Sequence, residues 1–209
     1  MIGVYDYTVI ATYASLFVGL CGIFAAMDGE PLFAVLALMI AGILDAFDGR
    51  IARTKKNRTE REKRFGIQID SLNDLVCFGV LPAVIGFASF ESRSAFFLAS
   101  LAFFTLAALI RLAFFNVTEE ERQNTTNEVR KYYLGLPVTS AALLIPFFWI
   151  LAHYLPVSDS FGYGAACFLL GVLFITPVQI KKPGLLGILV FAALGLAELA
   201  FLFVGLMFV

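Results

Sequence analysis

Residues 31–52 read PLFAVLALMIAGILDAFDGRIA, and this stretch indicates what kind of fold the chain adopts. It carries no charge from Leu32 to Leu44, and it matches the ~20 mostly apolar residues that a helix needs to cross a bilayer. Similar apolar runs lie before and after it. We predict seven membrane-spanning helices, with six to eight compatible with the pattern, over residues 8–27, 31–52, 67–89, 94–115, 135–154, 161–180 and 184–208.

The composition supports the same fold class. Of the 209 residues, 60% are hydrophobic and only 15% are charged, and the mean hydropathy is +0.89. Soluble domains are about half apolar and about one quarter charged, which argues against an ordinary soluble enzyme. A bilayer admits only helices or closed barrels, and these apolar runs are too long for barrel strands. We therefore predict an all-α integral membrane protein, a polytopic helical bundle that forms a single membrane domain over residues 1–209 among membrane lipids.

The basic residues predict the orientation of this bundle. Most of them lie in three connections, at residues 50–64, 122–131 and 181–182. With seven spans these connections fall on the same side of the membrane, which the positive-inside rule makes cytoplasmic. We expect a protein of the cytoplasmic membrane with its N-terminus inside. The net charge of -1 gives no sign of a nucleic-acid partner, and none is expected.

Four carboxylates stand where two of these helices meet the cytoplasmic boundary. Asp45 and Asp48 share a helix face, as do Asp70 and Asp74, and the two helices are consecutive and antiparallel. Four acids at one depth repel one another and are costly to desolvate unless countercharge is present. Two divalent cations would supply it, and oxygen-only ligands favour Mg²⁺ or Mn²⁺. The alternative is a set of interfacial acids paired with the basic residues of 50–64.

Small residues and an arginine adjoin these acids. Gly49, Ala52 and Gly66 leave room for a ligand to approach the helices, and Arg53 offers a planar fork suited to phosphate oxygens. Together with two metal ions, these features indicate a pyrophosphate site, in which the metals neutralise charge on the leaving group. A carboxylate could also accept the proton of an incoming hydroxyl.

The combined pattern is Asp45-x-x-Asp48-Gly49-x-x-Ala52-Arg53 followed by Gly66-x-x-x-Asp70-x-x-x-Asp74. Over residues 45–74 it resembles the signature of the CDP-alcohol phosphotransferase family, also called the CDP-alcohol phosphatidyltransferases. All of the fixed residues of that signature are present. The twelve residues between Arg53 and Gly66 exceed the usual gap, so we expect a longer turn with the helices still in register.

The resemblance implies a role for each matched residue. Asp45, Asp48 and Asp70 would hold two metal ions, with Asp74 as shared ligand and catalytic general base. The residues that would line the CDP site are Gly49, Ala52, Arg53 and Gly66. A hydroxyl residue near the end of the gap often contacts the phosphates in the family, and its place here is either Thr59 or Lys63. On the first helix, Thr12 and Ser15 occupy the positions of a polar pair near the nucleotide.

Further segments resemble one branch of the family, the phosphatidylserine synthases. They are Asp70-Ser71-Leu72-x-Asp74, Phe78-Gly79-x-x-Pro82, Arg111-Leu112-Ala113-x-Phe115-Asn116 and Gly135-Leu136-Pro137. Phe114 departs from the branch, which often has a second arginine there. The branch implies transfer of a phosphatidyl group from CDP-diacylglycerol, or an archaeal ether-lipid counterpart, to the hydroxyl of L-serine, with release of CMP and by a homodimer.

Three residues are candidates for binding the acceptor. Arg111 is the only basic residue within a predicted span, which is costly unless the charge is paired. It could bind the serine carboxylate or a lipid phosphate, or form a structural ion pair with a motif aspartate. Asn116 could orient the same substrate or cap its helix, and Ser71 is the third candidate.

Two other functions are compatible with part of the pattern. The same chemistry could use another alcohol, such as glycerol 3-phosphate, inositol phosphate or an amino alcohol, although a phosphorylated acceptor calls for further cations. A divalent-cation transporter would place acids through the membrane thickness, whereas here they cluster at one face.

Overall fold

The computed structural model of the chain describes residues 2–125, 132–154, 159–181 and 184–207. Its helices are α1 (Ile10–Met27), α2 (Pro31–Thr54), α3 (Glu60–Asp74), α4 (Leu81–Ser89), α5 (Ala95–Thr125), α6 (Ala141–Tyr154), α7 (Asp159–Ile175) and α8 (Leu185–Met207). Two three-residue strands, β1 (Tyr132–Leu134) and β2 (Gln179–Lys181), pair antiparallel. The prediction of a helical chain is confirmed, whereas the strands were not predicted.

Four helical segments are long and apolar enough to cross a membrane. They are Ile10–Met27, Pro31–Thr54, Glu60–Ser89 and Ala95–Arg122. Shorter apolar helices occupy Val138–Ala152, Ser160–Ile175 and Leu189–Val204. Each predicted apolar run therefore contains a helix, and the number of spans stays a prediction.

A π-helical segment, Leu75–Val80, joins α3 and α4 into one continuous rod. Pro82 has no N–H to donate within the helix, and the wider turn before it lets the helix continue without a break. The carbonyl of Gly79 accepts a hydrogen bond of 2.9 Å from Thr105 of α5, and the carbonyl of Pro82 accepts one of 2.8 Å from Tyr163 of α7. The π segment is thereby fixed against two neighbouring helices.

The connection between α2 and α3 differs from the expected long turn. Only residues 55–59 separate the two helices, and α3 begins at Glu60, seven residues before the predicted span. Thr59 and Glu62 form a capping box that satisfies two backbone N–H groups, and the acidic first turn suits the helix dipole. The expectation of a longer turn was therefore wrong, because the extra residues extend α3.

The connections that carry the basic residues meet at one end of the bundle. Near the start of α3, Arg64 lies 3.7 Å from Glu120, which is close to the end of α5. Strand β1 follows α5, and its Tyr132 pairs with Lys181 of β2, which follows α7. Within the described residues, α2–α3, the end of α5 and β2 thus share one end.

Candidate active site

Three carboxylates converge between α2 and α3, both of which pack against α1. One oxygen from each of Asp45, Asp70 and Asp74 lies within 4.8 Å of the other two. Asp74 is buried, with 6% of its surface exposed, while Asp45 and Asp70 are half-buried. The four-residue spacing on α3 puts Asp70 and Asp74 on one face, and a carboxylate oxygen of Asp45 on α2 reaches that face.

Asp48 stands beside this group rather than within it. Its Oδ2 accepts a hydrogen bond of 3.3 Å from Thr12 Oγ1 of α1, and its carboxyl is in contact with that of Asp70. Asp45 is in similar contact with Asp74. Carboxyl groups this close repel one another unless a proton or a cation lies between them. The structure thus brings all four predicted carboxylates together, with Thr12 at their edge.

The donor set fits a divalent cation. The Oδ1 atom of Asp74 is buried and has no hydrogen-bond partner among the described residues. A buried carboxylate oxygen without a donor is costly, and a bound cation removes that cost. Because every group in the cluster offers oxygen, the site suits hard cations rather than zinc.

The surface of α2 next to the carboxylates is open. A Cβ atom built on Gly49 would have a single neighbour within 4 Å, Nη1 of Arg53 at 3.6 Å. Arg53 is exposed one turn further along α2, and Ala52 beside it is half-buried. This arrangement leaves space for a ligand with an arginine at its margin.

Ser15 lies beneath the cluster rather than on that surface. It is fully buried, and its hydroxyl contacts the carbonyl of Ala41 at 3.3 Å and the amide nitrogen of Asn73 at 3.3 Å. Cys77 in turn donates to Asn73 Oδ1 at 3.3 Å. Sequence reasoning missed Asn73, although a polar residue two positions after a motif serine on an apolar helix is a readable signal. This network joins α1, α2 and α3 under the carboxylates.

Thr59 and Lys63, the two candidates for contacting the nucleotide phosphates, have other partners. Thr59 is the N-cap of α3, where its hydroxyl accepts a hydrogen bond of 3.2 Å from the Glu62 backbone. Lys63 is exposed and forms an ion pair of 2.7 Å with Glu60. The residue that reaches Gly66 is Arg58, which the sequence analysis missed: a Cβ atom on Gly66 would lie 2.7 Å from its Nη2.

Another basic residue of this connection holds the N-terminal segment. Lys55 lies 2.7 Å from Asp6 and 2.8 Å from Glu62. Hydrogen bonds from Lys55 and from Thr8 lower the pKa of Asp6 to about 2. The segment before α1 is therefore tied to the start of α3, next to the carboxylates.

Two of the three acceptor candidates meet between α3 and α5. Ser71 donates a hydrogen bond of 2.8 Å to Oδ1 of Asn116, whose amide nitrogen lies 3.4 Å from Gln68. Asn116 lies inside α5, which continues to Thr125, so the alternative of a C-cap is wrong. Ser71 precedes Asp74 by three residues on α3, a spacing that puts their side chains on neighbouring parts of the helix surface.

Arg111 lies under the loop that follows β1. It is 6% exposed, its guanidinium carbon is 5.7 Å from the ring centroid of Phe115, and a Cβ on Gly135 would lie 3.3 Å from its Nε. Gly135 has a φ of 81°, and its N–H donates to the carbonyl of Val178 at 2.7 Å. The glycine thus lets the loop close over the arginine.

Comparisons with known proteins identify the family of this chain. The sequence model of the CDP-alcohol phosphatidyltransferase family matches residues 8–178. A protein of Helicobacter pylori named CDP-diacylglycerol–serine O-phosphatidyltransferase is 32% identical over 173 residues, covering 80% of this chain and 68% of the relative. A relative with the same name in Methanocaldococcus jannaschii is 32% identical, covering 77% of this chain and 69% of the relative. Another in Saccharomyces cerevisiae is 33% identical, covering 65% of this chain and 51% of the relative.

The family match spans the carboxylate-bearing helices, the Ser71–Asn116 contact and strand β1, and it ends just before β2. It covers most of the chain, and the similarity to the H. pylori relative extends over a similar share. The chain therefore belongs to the CDP-alcohol phosphatidyltransferase family.

Proposed function

We propose that this protein is a CDP-diacylglycerol–serine O-phosphatidyltransferase of phospholipid biosynthesis. The observation that carries the proposal is the convergence of Asp45, Asp70 and Asp74 in a chain of this family, with one buried oxygen of Asp74 lacking a partner. The names of relatives from a bacterium, a yeast and an archaeon support serine as the acceptor.

In the proposed reaction, the serine hydroxyl oxygen bonds to the phosphorus of the phosphatidyl group. The bond from that phosphorus to the oxygen shared with CMP breaks, and CMP leaves. Asp74 accepts the hydroxyl proton, because its unpartnered oxygen lies within the cluster, and the same residue serves as a shared metal ligand.

Two divalent cations, Mg²⁺ or Mn²⁺, complete the proposed site. Asp45, Asp48, Asp70 and Asp74 would hold them, which offsets the mutual repulsion of these carboxylates. Bound there, the ions would neutralise charge on the phosphates of the donor.

The donor is proposed to bind along the open surface of α2. Gly49 and Ala52 leave that surface free of bulky side chains, Arg53 lies at its margin, and Gly66 faces it from α3. Thr12 contributes by holding Asp48. The donor is CDP-diacylglycerol or its ether-lipid equivalent, since the M. jannaschii relative and the bacterial ones are similarly close to this chain.

The acceptor is proposed to bind near Ser71 and Asn116, and Arg111, which is buried on the same helix as Asn116, is proposed to bind its carboxylate. The ordered Ser71–Asn116 bond presents polar groups directly after Asp70. An acceptor that carries a phosphate would call for further cations beside Arg111.

We further propose seven membrane spans, a cytoplasmic active site and a cytoplasmic N-terminus. The meeting of the basic connections at one end supports this orientation. Single cysteines at exposed positions test it: Lys56→Cys is expected to react with an impermeant thiol reagent only in opened cells, and Glu91→Cys in intact cells. A homodimer is proposed from the family resemblance, and chemical cross-linking in the membrane tests it.

The activity is tested on purified protein in lipid micelles with CDP-diacylglycerol and Mg²⁺ or Mn²⁺. Radiolabelled serine, glycerol 3-phosphate and inositol phosphate are supplied in parallel, and CMP release and labelled lipid are measured. We expect product from serine alone, lost with EDTA and in Asp74→Asn. Product from another alcohol would show that serine is not the acceptor, while the proposed transfer chemistry would stand. Ion flux that does not depend on CMP, without any turnover, would favour a transporter.

A further inference from the structure

Arg58 reaches back from the α2–α3 connection and lies against α3. Its Nη2 donates a hydrogen bond of 3.1 Å to the backbone carbonyl of Glu62. A Cβ atom built on Gly66 would lie 2.7 Å from the same nitrogen. The guanidinium therefore occupies the space that the missing side chain of Gly66 leaves on the helix surface.

This space belongs to the face of α3 that carries the carboxylates. Glu62, Gly66, Asp70 and Asp74 follow one another at intervals of four residues, which places them on one side of a helix. Gly66 precedes Asp70 by about 6 Å of helix rise. Arg58 thus holds a positive charge about one turn from the metal-binding carboxylates.

The charge of Arg58 has no carboxylate partner among the described residues, unlike the charges of Lys55 and Lys63. Lys55 pairs with Asp6 and Glu62, and Lys63 pairs with Glu60. The Nε atom of Arg58 is buried and lacks a hydrogen-bond partner in the part of the chain that the structure describes. A buried N–H without an acceptor is costly, so this position is suited to an anionic ligand.

We propose that Arg58 binds a phosphate oxygen of the nucleotide diphosphate, as a second arginine opposite Arg53. The two arginines flank the carboxylates, one from the end of α2 and one against α3. A guanidinium presents its N–H groups in a planar fork that matches phosphate oxygens. Gly66 is then required because any side chain would displace the guanidinium. This inference rests on the proposed function, since it takes the donor to be a CDP-linked lipid.

Two other roles for Arg58 predict different behaviour. If the guanidinium only blocks the site, its removal would tighten nucleotide binding. If it only stabilises the connection, through the bond to the Glu62 carbonyl, its removal would lower the unfolding temperature and leave nucleotide affinity unchanged. Affinity for a free nucleotide therefore separates all three roles.

The test measures the Kd of CDP in the presence of Mg²⁺ by calorimetry, on the full chain in lipid micelles. The variants are Arg58→Ala, Arg58→Lys and the control Arg61→Ala, which removes a neighbouring arginine that lines a groove with Arg64 and Phe65 on another side of α3. We expect Arg58→Ala to weaken CDP binding about tenfold, the size of one charge-assisted hydrogen bond. Arg58→Lys should restore part of the loss because it keeps the charge, and Arg61→Ala should match the wild type.

The outcomes distinguish this inference from the proposed function. Unchanged or tighter CDP binding by Arg58→Ala, or by the uncharged Arg58→Gln if the alanine variant does not fold, overturns the role of Arg58. If the wild-type protein binds CDP but transfers nothing to serine, the proposal of serine as acceptor is wrong and the Arg58 result stays valid. If the wild-type protein binds no CDP, both the proposed function and the role of Arg58 are wrong. In turnover assays, a rise in KM for CDP-diacylglycerol with kcat retained supports binding rather than a general structural role.

Discussion

The hydroxyl of Ser71 lies 2.8 Å from Oδ1 of Asn116, and this hydrogen bond joins α3 to α5 one turn before Asp74 on α3. Both partners are sheltered: Ser71 is buried and Asn116 is half-buried. The bond therefore fixes two polar groups at the place where an acceptor hydroxyl would approach Asp74. Its role in acceptor binding can be tested separately from the chemistry of the carboxylates.

Replacing Asn116 with alanine is expected to raise the KM for serine about tenfold, because one hydrogen bond to a charged ligand contributes about 1.5–3 kcal/mol. The Kd of CDP should stay unchanged. Ser71→Ala should raise the KM for serine by a smaller factor. The free-energy change of the double variant should be smaller than the sum of the two single changes, since both residues share one hydrogen bond. A lowered unfolding temperature with an unchanged KM for serine would show that the pair is only structural.

Replacing Asp74 with asparagine is expected to lower kcat by about 10²–10⁴, the range that general-base catalysis usually supplies. The change keeps the size of the side chain and removes the charge of the buried oxygen that lacks a partner. Initial rates of CMP release at saturating substrates provide the measurement. Asp28→Asn, on the turn after α1 at the opposite end of that helix from Thr12, is the matched control and should retain full activity. Near-normal turnover in Asp74→Asn would assign the base to another residue.

The convergence of the carboxylates was predictable because it follows from local rules. Helical spacing fixes that Asp70 and Asp74 share a face. Consecutive predicted spans run in opposite directions, so Asp45, near the end of one, is expected at the same depth as Asp70 and Asp74, near the start of the next. The same rules located every apolar helix. They did not require knowledge of how distant segments pack.

Other features depend on such packing or on a signal that was overlooked. The start of α3 at Glu60 was readable from Thr59 and Glu62, a capping-box pair. In contrast, the pairing of β1 with β2 joins segments that are nearly fifty residues apart, and each strand is too short to show alternation. The position of Arg58 over Gly66 depends on one side-chain conformation, which no sequence pattern encodes.

Replacing Thr59 with alanine is expected to lower the free energy of unfolding by about 1 kcal/mol, the usual value of an N-cap. The hydroxyl accepts the Glu62 N–H, so its loss leaves the first turn of α3 without that cap. Thr59→Ser keeps the hydroxyl and should behave as wild type in denaturant unfolding. The affinity for CDP should be the same in all three proteins. Weaker CDP binding without any loss of stability would instead make Thr59 the hydroxyl that contacts the phosphates.

Metal binding is expected to stabilise the fold independently of substrate. At a hundredfold excess of Mn²⁺ over its Kd, a site present only in the folded protein adds about 2.7 kcal/mol, which raises the unfolding midpoint by several degrees in a chain of this size. Asp45→Asn should abolish most of this shift because it removes one of the three converging oxygens. Without metal, the same variant should be at least as stable as the wild type, because it relieves repulsion between Asp45 and Asp48. Thermal unfolding with EDTA and with added Mn²⁺ measures both effects. If Mn²⁺ still raises the unfolding midpoint of Asp45→Asn, the cation binds elsewhere. If Asp45→Asn is less stable than the wild type in EDTA, Asp45 supports the fold through its own contacts.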